Sequence, residues 1–328
     1  MNDQKKAPEL TSGQTDVNSR DQIEGQTARI DRYSKAKRQA DQLRTHIEKT
    51  LNDYQPKERN VLVGLYEKLC ACGNYLRFRH YYRVNIVRLT KAHFCKKHLA
   101  CCLCAIRRGA KGLRVYSECF LYQRTLNPAL TASLVTLTMK NGPDLAERMD
   151  HLQKGLNKVS RKIQNSRRHK KPRGEFSKFL GIVGSIEVKK GKNSGLWHPH
   201  VHMIVLHEKP IDPFELSKEW REITGDSFIV DIQPIRNPDD PMKDFCEVFK
   251  YAVKFSSMPP DDLLEAYFVL SGKRMIFSSG LFRGVEIPED LTDDPIKDEP
   301  YIELLYRYME SGYSLTEVIR SEELQDES

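Results

Sequence analysis

"WHPHVHMIVLH", residues 197–207, sets three histidines two positions apart at the head of an apolar run. Successive side chains of a β-strand point to opposite faces, so His198, His200, His202, Ile204 and Leu206 share one side, and Val201, Met203 and Val205 the other. Same-face neighbours lie about 6.5–7 Å apart along a strand, close enough for two adjacent imidazoles to lean onto one ion about 2 Å from each ring nitrogen. Another ligand must then come from elsewhere. "FLGIVGSIEVKK" (179–190) reads as the preceding strand, joined through the turn-like "GKNSG" (191–195), and its Glu187 can supply a carboxylate. The plain alternative, surface histidines on a solvated face, sits poorly with the apolar opposite face and with a strand that continues into the core.

A second stretch carries complementary chemistry. In "EVFKYAVK" (247–254), read as a helix, Glu247, Lys250, Tyr251 and Lys254 fall at i, i+3, i+4 and i+7 and form one polar stripe. Phe245, Val248, Phe249, Ala252 and Phe255 make the opposite, buried face. A carboxylate, a phenol and two ammonium groups on one surface offer a nucleophile, a base and cations for phosphate chemistry. The plain reading is a tyrosine packed at a helix edge.

Eight cysteines are present, and six of them, Cys70, Cys72, Cys95, Cys101, Cys102 and Cys104, crowd into one short segment. In a reducing compartment such crowding points to metal rather than disulfides. Cys101 and Cys104 form a CxxC pair, with Cys95 and Cys72 as further thiolates; His98 can replace Cys72, and Cys102 can replace Cys101.

The 328 residues carry a formal charge of +8, unevenly distributed. Fourteen acidic and three basic residues lie from Gly284 onward, leaving +19 in the first 283. A basic body implies a polyanionic partner, because cations that neutralise phosphates release counterions. Arg107 and Arg108, on the basic helix expected after the cysteines, and Arg167 and Arg168, in "SRKIQNSRRHKKPR" (160–173), are candidate DNA contacts. No apolar run reaches the roughly 18 residues of a membrane span, and "MNDQKKAPEL" lacks the apolar core of a secretion signal, so a cytoplasmic protein without membrane partners is expected.

The remaining pattern gives a strand at 133–139, a helix from about 145 to 163, a helix at 212–225 with Asp212 as N-cap and Pro213 in its first turn, and a strand at 226–235. That order implies an α+β domain with a mainly antiparallel sheet. The expected divisions are a disordered 1–28, a helical and metal-binding region at 29–124, the α+β domain at 125–285, and an acidic tail at 286–328 with one helix around 301–311. Residues 30–51 read as a charged, solvent-rich helix, an arm.

Taken in order, "LVTLTM" (134–139), "HPHVHMIVL" (198–206) and "EVFKYAVK", together with the cysteines and Glu187, resemble the HUH endonucleases, specifically the replication initiators of small rolling-circle plasmids. The resemblance spans about Gly64 to Arg283. It implies the HUH fold, a central antiparallel sheet with flanking helices, and Mg²⁺ or Mn²⁺ on His200, His202 and Glu187. It further implies that Tyr251 attacks origin DNA at a single-stranded or hairpin nick site, leaving a 5′-phosphotyrosine and a 3′-hydroxyl primer. Glu247 would activate water for the terminating cleavage, Lys250 and Lys254 would hold phosphate, and His198 would contact DNA or support the metal ligands. Structural Zn²⁺ on Cys72, Cys95, Cys101 and Cys104, a host helicase and DNA polymerase as partners, and self-association belong to the same picture. The alternatives are a single-tyrosine transposase or relaxase and a noncatalytic zinc-containing DNA-binding regulator.

Overall fold

The computed structural model describes residues 25–169, 173–250 and 258–320. Its architecture is α+β, with two antiparallel sheets. The larger has the order β6-β3-β5-β4-β7: β3 (Thr131–Thr138), β4 (Gly181–Lys190), β5 (Trp197–His207), β6 (Val230–Pro234) and β7 (Ile276–Gly280). The histidine strand β5 is its middle member, flanked by β3 and β4.

Strand alternation sorts the two faces of this sheet. Val201, Met203 and Val205 face α4 (Leu145–His169), whose Met149, Leu152, Val159 and Ile163 recur at helical spacing in the same core. Beside it lies α5 (Pro213–Thr224), which starts as the sequence expects: the Asp212 carboxylate accepts from the backbone N–H groups of Phe214 and Glu215. Gly225, at φ 82°, ends α5 in the left-handed region, and the Trp220 indole donates to the Thr138 carbonyl.

The histidine face is covered over half its length. Ile204, Leu206, Leu134 and Val183 pack there with Phe120 and Tyr116 of α3 (Cys102–Leu126), Phe245 and Phe249 of α6 (Met242–Phe249), and Phe282. Ring centroids sit 5.5 Å apart for Phe120–Phe245 and 5.6 Å for Tyr116–Phe249. Two α3 glycines admit α6 this closely. A Cβ at Gly109 would meet the Phe249 carbonyl oxygen at 2.6 Å, and one at Gly112 would meet the Phe249 ring at 2.7 Å.

The second sheet, β2-β1-β8-β9, joins distant parts of the chain: β1 (Tyr75–Tyr81), β2 (Ile86–Ala92), β8 (Ile302–Met309) and β9 (Gly312–Arg320). The helix expected at 301–311 is therefore a hairpin. Its apolar and aromatic run suits either state, and pairing with β1 decides it, with buried Glu303 held by Arg77 at 3.2 Å and Arg79 at 3.0 Å. The segment expected as an acidic tail is, as far as Arg320, part of the core structure. Among elements the pattern did not disclose are β1, β2 and α7 (Pro260–Leu270).

Residues 1–24 of the expected disordered stretch lie outside the described residues, and helix α1 (Gln26–Thr50) begins directly after them. It is not an arm. Ile30, Tyr33, Ala36, Ala40, Leu43 and Ile47 form a narrow buried stripe against α2 (Pro56–Ala71) and the second sheet. The charged majority of its residues masks that stripe in the sequence.

One buried ion cluster ties these parts together. Asp293 receives Arg29 of α1 at 3.0 Å, Arg107 of α3, and the Leu89 N–H of β2 at 2.8 Å. Arg107 also donates to the Leu291 carbonyl at 2.7 Å and to the Tyr33 hydroxyl at 2.9 Å. Burial alone would raise the Asp293 carboxyl, but the charges of Arg107 and Arg29 outweigh it and hold it well below the usual carboxylate range. Asp293→Ala leaves two guanidiniums buried without their anion and is expected to cost about 3–5 kcal/mol in urea unfolding. Because the folded pKa is depressed, this stability is present above the unfolded value of about 4 and is lost as pH falls below it. The gap between wild type and Asp293→Asn should accordingly narrow in melts taken from pH 6 down to pH 3.

Candidate metal centre

Antiparallel register decides the centre. Glu187 of β4 pairs directly with His200 of β5, and His202 lies one same-face step further along. The three side chains converge: Glu187 Oε2 is 3.1 Å from His202 Nε2 and 3.4 Å from His200 Nε2. Ligand atoms bound side by side at about 2.1 Å on one ion sit roughly 3 Å apart, so this donor set fits a hard divalent cation. Three protein ligands would leave the remaining coordination positions of such an ion open.

The surroundings fix each ligand. Thr136 of β3, cross-strand from His202, lies with its hydroxyl 3.0 Å from Nδ1, and His200 Nδ1 lies 3.4 Å from the His198 carbonyl. Both rings thus present Nε2 to the centre. Glu187 is only 2% exposed. Burial would raise its carboxyl, yet hydrogen bonds with His200 and His202 more than compensate and keep it an anion, below the usual carboxylate range.

His198 stays outside the trio. Its Nδ1 is hydrogen-bonded to Asn141 Oδ1, and burial, followed by the charges of His200 and Lys189, lowers its pKa. Lys189 was not singled out in the sequence, although it stands two residues beyond Glu187 on the same face; its ammonium lies 3.0 Å from Glu187 Oε1. Thr136 and Asn141 were also missed, since only the strand pairing brings them here.

The third motif is partly described. Phe245, Val248 and Phe249 bury against the histidine face as expected, and Glu247 pairs with Lys250 at i+3. Tyr251 and Lys254, with Ala252 and Phe255 of the expected buried face, lie outside the described residues.

Four thiols converge at a second site: Cys72 at the end of α2, Cys95 in the loop after β2, Cys101 capping α3, and Cys104 in its first turn. Sγ separations are 3.6 Å for Cys72–Cys101, 3.5 Å for Cys72–Cys104 and 3.6 Å for Cys95–Cys104. A tetrahedron with metal–sulfur bonds of about 2.3 Å has edges near 3.8 Å, so the set fits one thiophilic ion. Hydrogen bonds from Cys101, Cys104 and Cys72 lower the Cys95 thiol, while the same coupled cluster holds the Cys101 and Cys104 thiols up. His98 and Cys102 are not in this group; the His98 ring is bonded to the Lys96 carbonyl.

The expected DNA-contacting arginines divide. Arg107 is buried in the Asp293 cluster, which removes it from any DNA surface. Arg167 is committed to the backbone, donating to the carbonyls of Phe179 at 2.6 Å and Leu180 at 2.8 Å. Arg168 is exposed, and Arg108 is half-buried.

A central antiparallel sheet presenting a Glu187–His200–His202 cluster with metal-ligand spacing, in a basic chain that also gathers four cysteines, defines a class: proteins with two candidate metal sites and the charge to meet a polyanion. Residues 86–304, two-thirds of the chain, match the replication protein family Rep_1, and the chain belongs to that family. It is similar to a "Protein rep" of Bacillus sp., 25% identical over 233 residues that cover 68% of this chain and 70% of the relative. A second "Protein rep", from Bacillus amyloliquefaciens, is 23% identical over 280 residues, 73% of this chain and 78% of the relative. The resemblance to rolling-circle plasmid initiators drawn from the motifs accordingly holds. No solved structure matches. Among the described residues no helix is long and apolar enough to cross a membrane.

Because Thr136 orients His202, Thr136→Val is expected to weaken Mn²⁺ binding at this centre by about 10- to 100-fold with little change in fold, as read by isothermal titration.

Proposed function

We propose that this protein starts rolling-circle replication by nicking one strand of its origin DNA. The observation that carries the reading is the convergence of His200, His202 and Glu187 on the open part of the sheet face that also seats α6, in a chain of a replication-protein family. A divalent ion there, Mg²⁺ or Mn²⁺, supplies Lewis-acid polarisation of a phosphate oxygen.

The chain's own residues do the rest. Tyr251 follows α6 by two residues and supplies the phenol that attacks phosphorus. The bond to the 3′ oxygen breaks, the phenol loses its proton to solvent, and the departing oxygen gains one. The products are a 5′-phosphotyrosyl enzyme and a free 3′-hydroxyl, the primer for a host polymerase working behind a host helicase. Glu247, held by Lys250, activates water for a second cleavage that ends the round, while Lys250 and Lys254 offset charge on the phosphate. Glu187 and the two histidines would hold that ion, and Lys189 adds a cation beside them. Arg108, Arg168 and His198 are the remaining DNA contacts.

In the second site we assign Zn²⁺ to Cys72, Cys95, Cys101 and Cys104, where it fastens the start of α3 to α2. Gly73 follows Cys72 at φ 67°, and a Cβ there would come within 2.4 Å of Leu103, so the knuckle requires glycine. Tyr313 of β9 donates to the Gly73 carbonyl at 2.5 Å and locks the second sheet onto it.

Two experiments test these readings. With Mn²⁺ and an origin oligonucleotide, wild type should form a covalent DNA adduct visible on denaturing gels. Tyr251→Phe should form none, and Glu247→Ala should nick but lose water-dependent release; an adduct from Tyr251→Phe removes the nucleophile. Elemental analysis should find one zinc per chain, and Cys104→Ser should lose it and melt well below wild type; native protein without zinc refutes the assignment.

A further inference from the structure

Helix α7 is fastened to the two strands that carry Glu187, His200 and His202 by a four-residue clamp. Lys190 and Trp197 are cross-strand partners at the end of the β4–β5 ladder, three positions beyond the Glu187–His200 pair. Alternation turns them to the α4 side of the sheet, away from Glu187 and His200. There α7 meets them with two carboxylates at i and i+3. The Lys190 ammonium lies 2.8 Å from Asp262 Oδ1 and 3.1 Å from Glu265 Oε2. The buried Trp197 indole donates to Glu265 Oε1 at 3.0 Å, and the same ammonium sits 4.8 Å from its ring centroid.

The Glu265 side chain is 48% exposed, and ion pairs so open to water add little stability. Leu263, Leu264, Ala266, Tyr267 and Leu270 already bury the rest of α7. What the clamp adds is orientation, because one cation and two carboxylates around a fixed ring leave the first two turns of the helix a single placement. Those turns receive the chain from the third motif. At the other end of that chain, α6 packs on the histidine face against Ile204, Leu206 and Val183, and Phe249 rests on Gly109 and Gly112 where any Cβ would collide with it. Helices α6 and α7 therefore lie on opposite faces and are tied to the same pair of strands, with residues 250–259 between them.

We propose that Lys190, Asp262 and Glu265 are positioning residues for the nicking step: the clamp fixes where the chain leaving the third motif is anchored relative to Glu187 and His200, and through it the approach of the Tyr251 phenol to phosphorus. The inference rests on the nicking reading for that role of Tyr251. Attack on a phosphate demands alignment, and a misplacement of about 1 Å by a group far from the chemistry lowers the rate about 100-fold. Binding is spared, since neither DNA nor the ion touches the clamp, which lies on the other face of the sheet.

The test uses full-length protein and the variants Glu265→Ala, Lys190→Ala and Lys190→Arg. With Mn²⁺ and an origin oligonucleotide, the two alanine variants are expected to form the covalent adduct about 100-fold more slowly at saturating substrate, with KM, Mn²⁺ affinity and melting temperature close to wild type. Lys190→Arg keeps a cation between the carboxylates and should restore the rate. Hydrogen exchange, read without metal or DNA, should quicken in peptides spanning 250–259 of the alanine variants, while β4, β5 and α6 exchange as in wild type. Should Glu265→Ala melt early because the Trp197 N–H has lost its acceptor, Lys190→Ala carries the comparison. An unchanged rate overturns the proposal, as does a rate that falls only in step with KM or melting temperature, or unchanged exchange at 250–259. Wild type that forms no adduct removes the nicking reading; quickened exchange at 250–259 then leaves the clamp standing as the anchor of that chain, and unchanged exchange removes it too.

Discussion

Pairing of β4 with β5 is the constraint on which the rest of this protein depends. Side chains alternate with period two, so slipping the pair by one residue would turn Glu187 away from His200 and drive the histidines into the core packed by α4. Register is protected from both sides. Val201, Met203 and Val205 must reach α4, while Ile204 and Leu206 must reach the phenylalanines of α3 and α6. Burial on both faces leaves one pairing that satisfies every residue. The Glu187–His200–His202 cluster is what that pairing produces where the apolar cover on the histidine face stops.

Helix α3 links the two candidate ion sites mechanically. Its first turn carries Cys101 and Cys104, its next turns place Arg107 on Asp293, and its glycines at 109 and 112 receive Phe249. A rigid rod thus runs from the thiol knuckle to the end of α6. Anything that loosens the knuckle shifts the seat on which the third motif rests. Close packing transmits such displacements instead of absorbing them.

The histidine strand, its β4 partner, the Asp212 cap and the buried half of α6 were legible in the sequence because each is set by local periodicity or capping chemistry. What stayed hidden depends on distant partners. Arg107 looks like a surface cation until Asp293, far along the chain, is seen to take it inward. The run at 302–309 reads equally as helix or strand until β1 pairs with it. Helix α1 carries an apolar stripe too narrow to register among its charges, although the stripe is buried along its length. Lys189, Thr136 and Asn141 lacked a motif of their own, and only cross-strand geometry reveals their bearing on the centre.

Strand β1, near residue 80, finds its second partner only when residues past 300 exist. Residues past 300 must therefore be made before the second sheet can close or Tyr313 can reach Gly73. Long-range closure of this kind is slow and late. A chain cut before residue 300 would lack β8 and β9, and with them the partner of β1 and the Tyr313 clasp on Gly73.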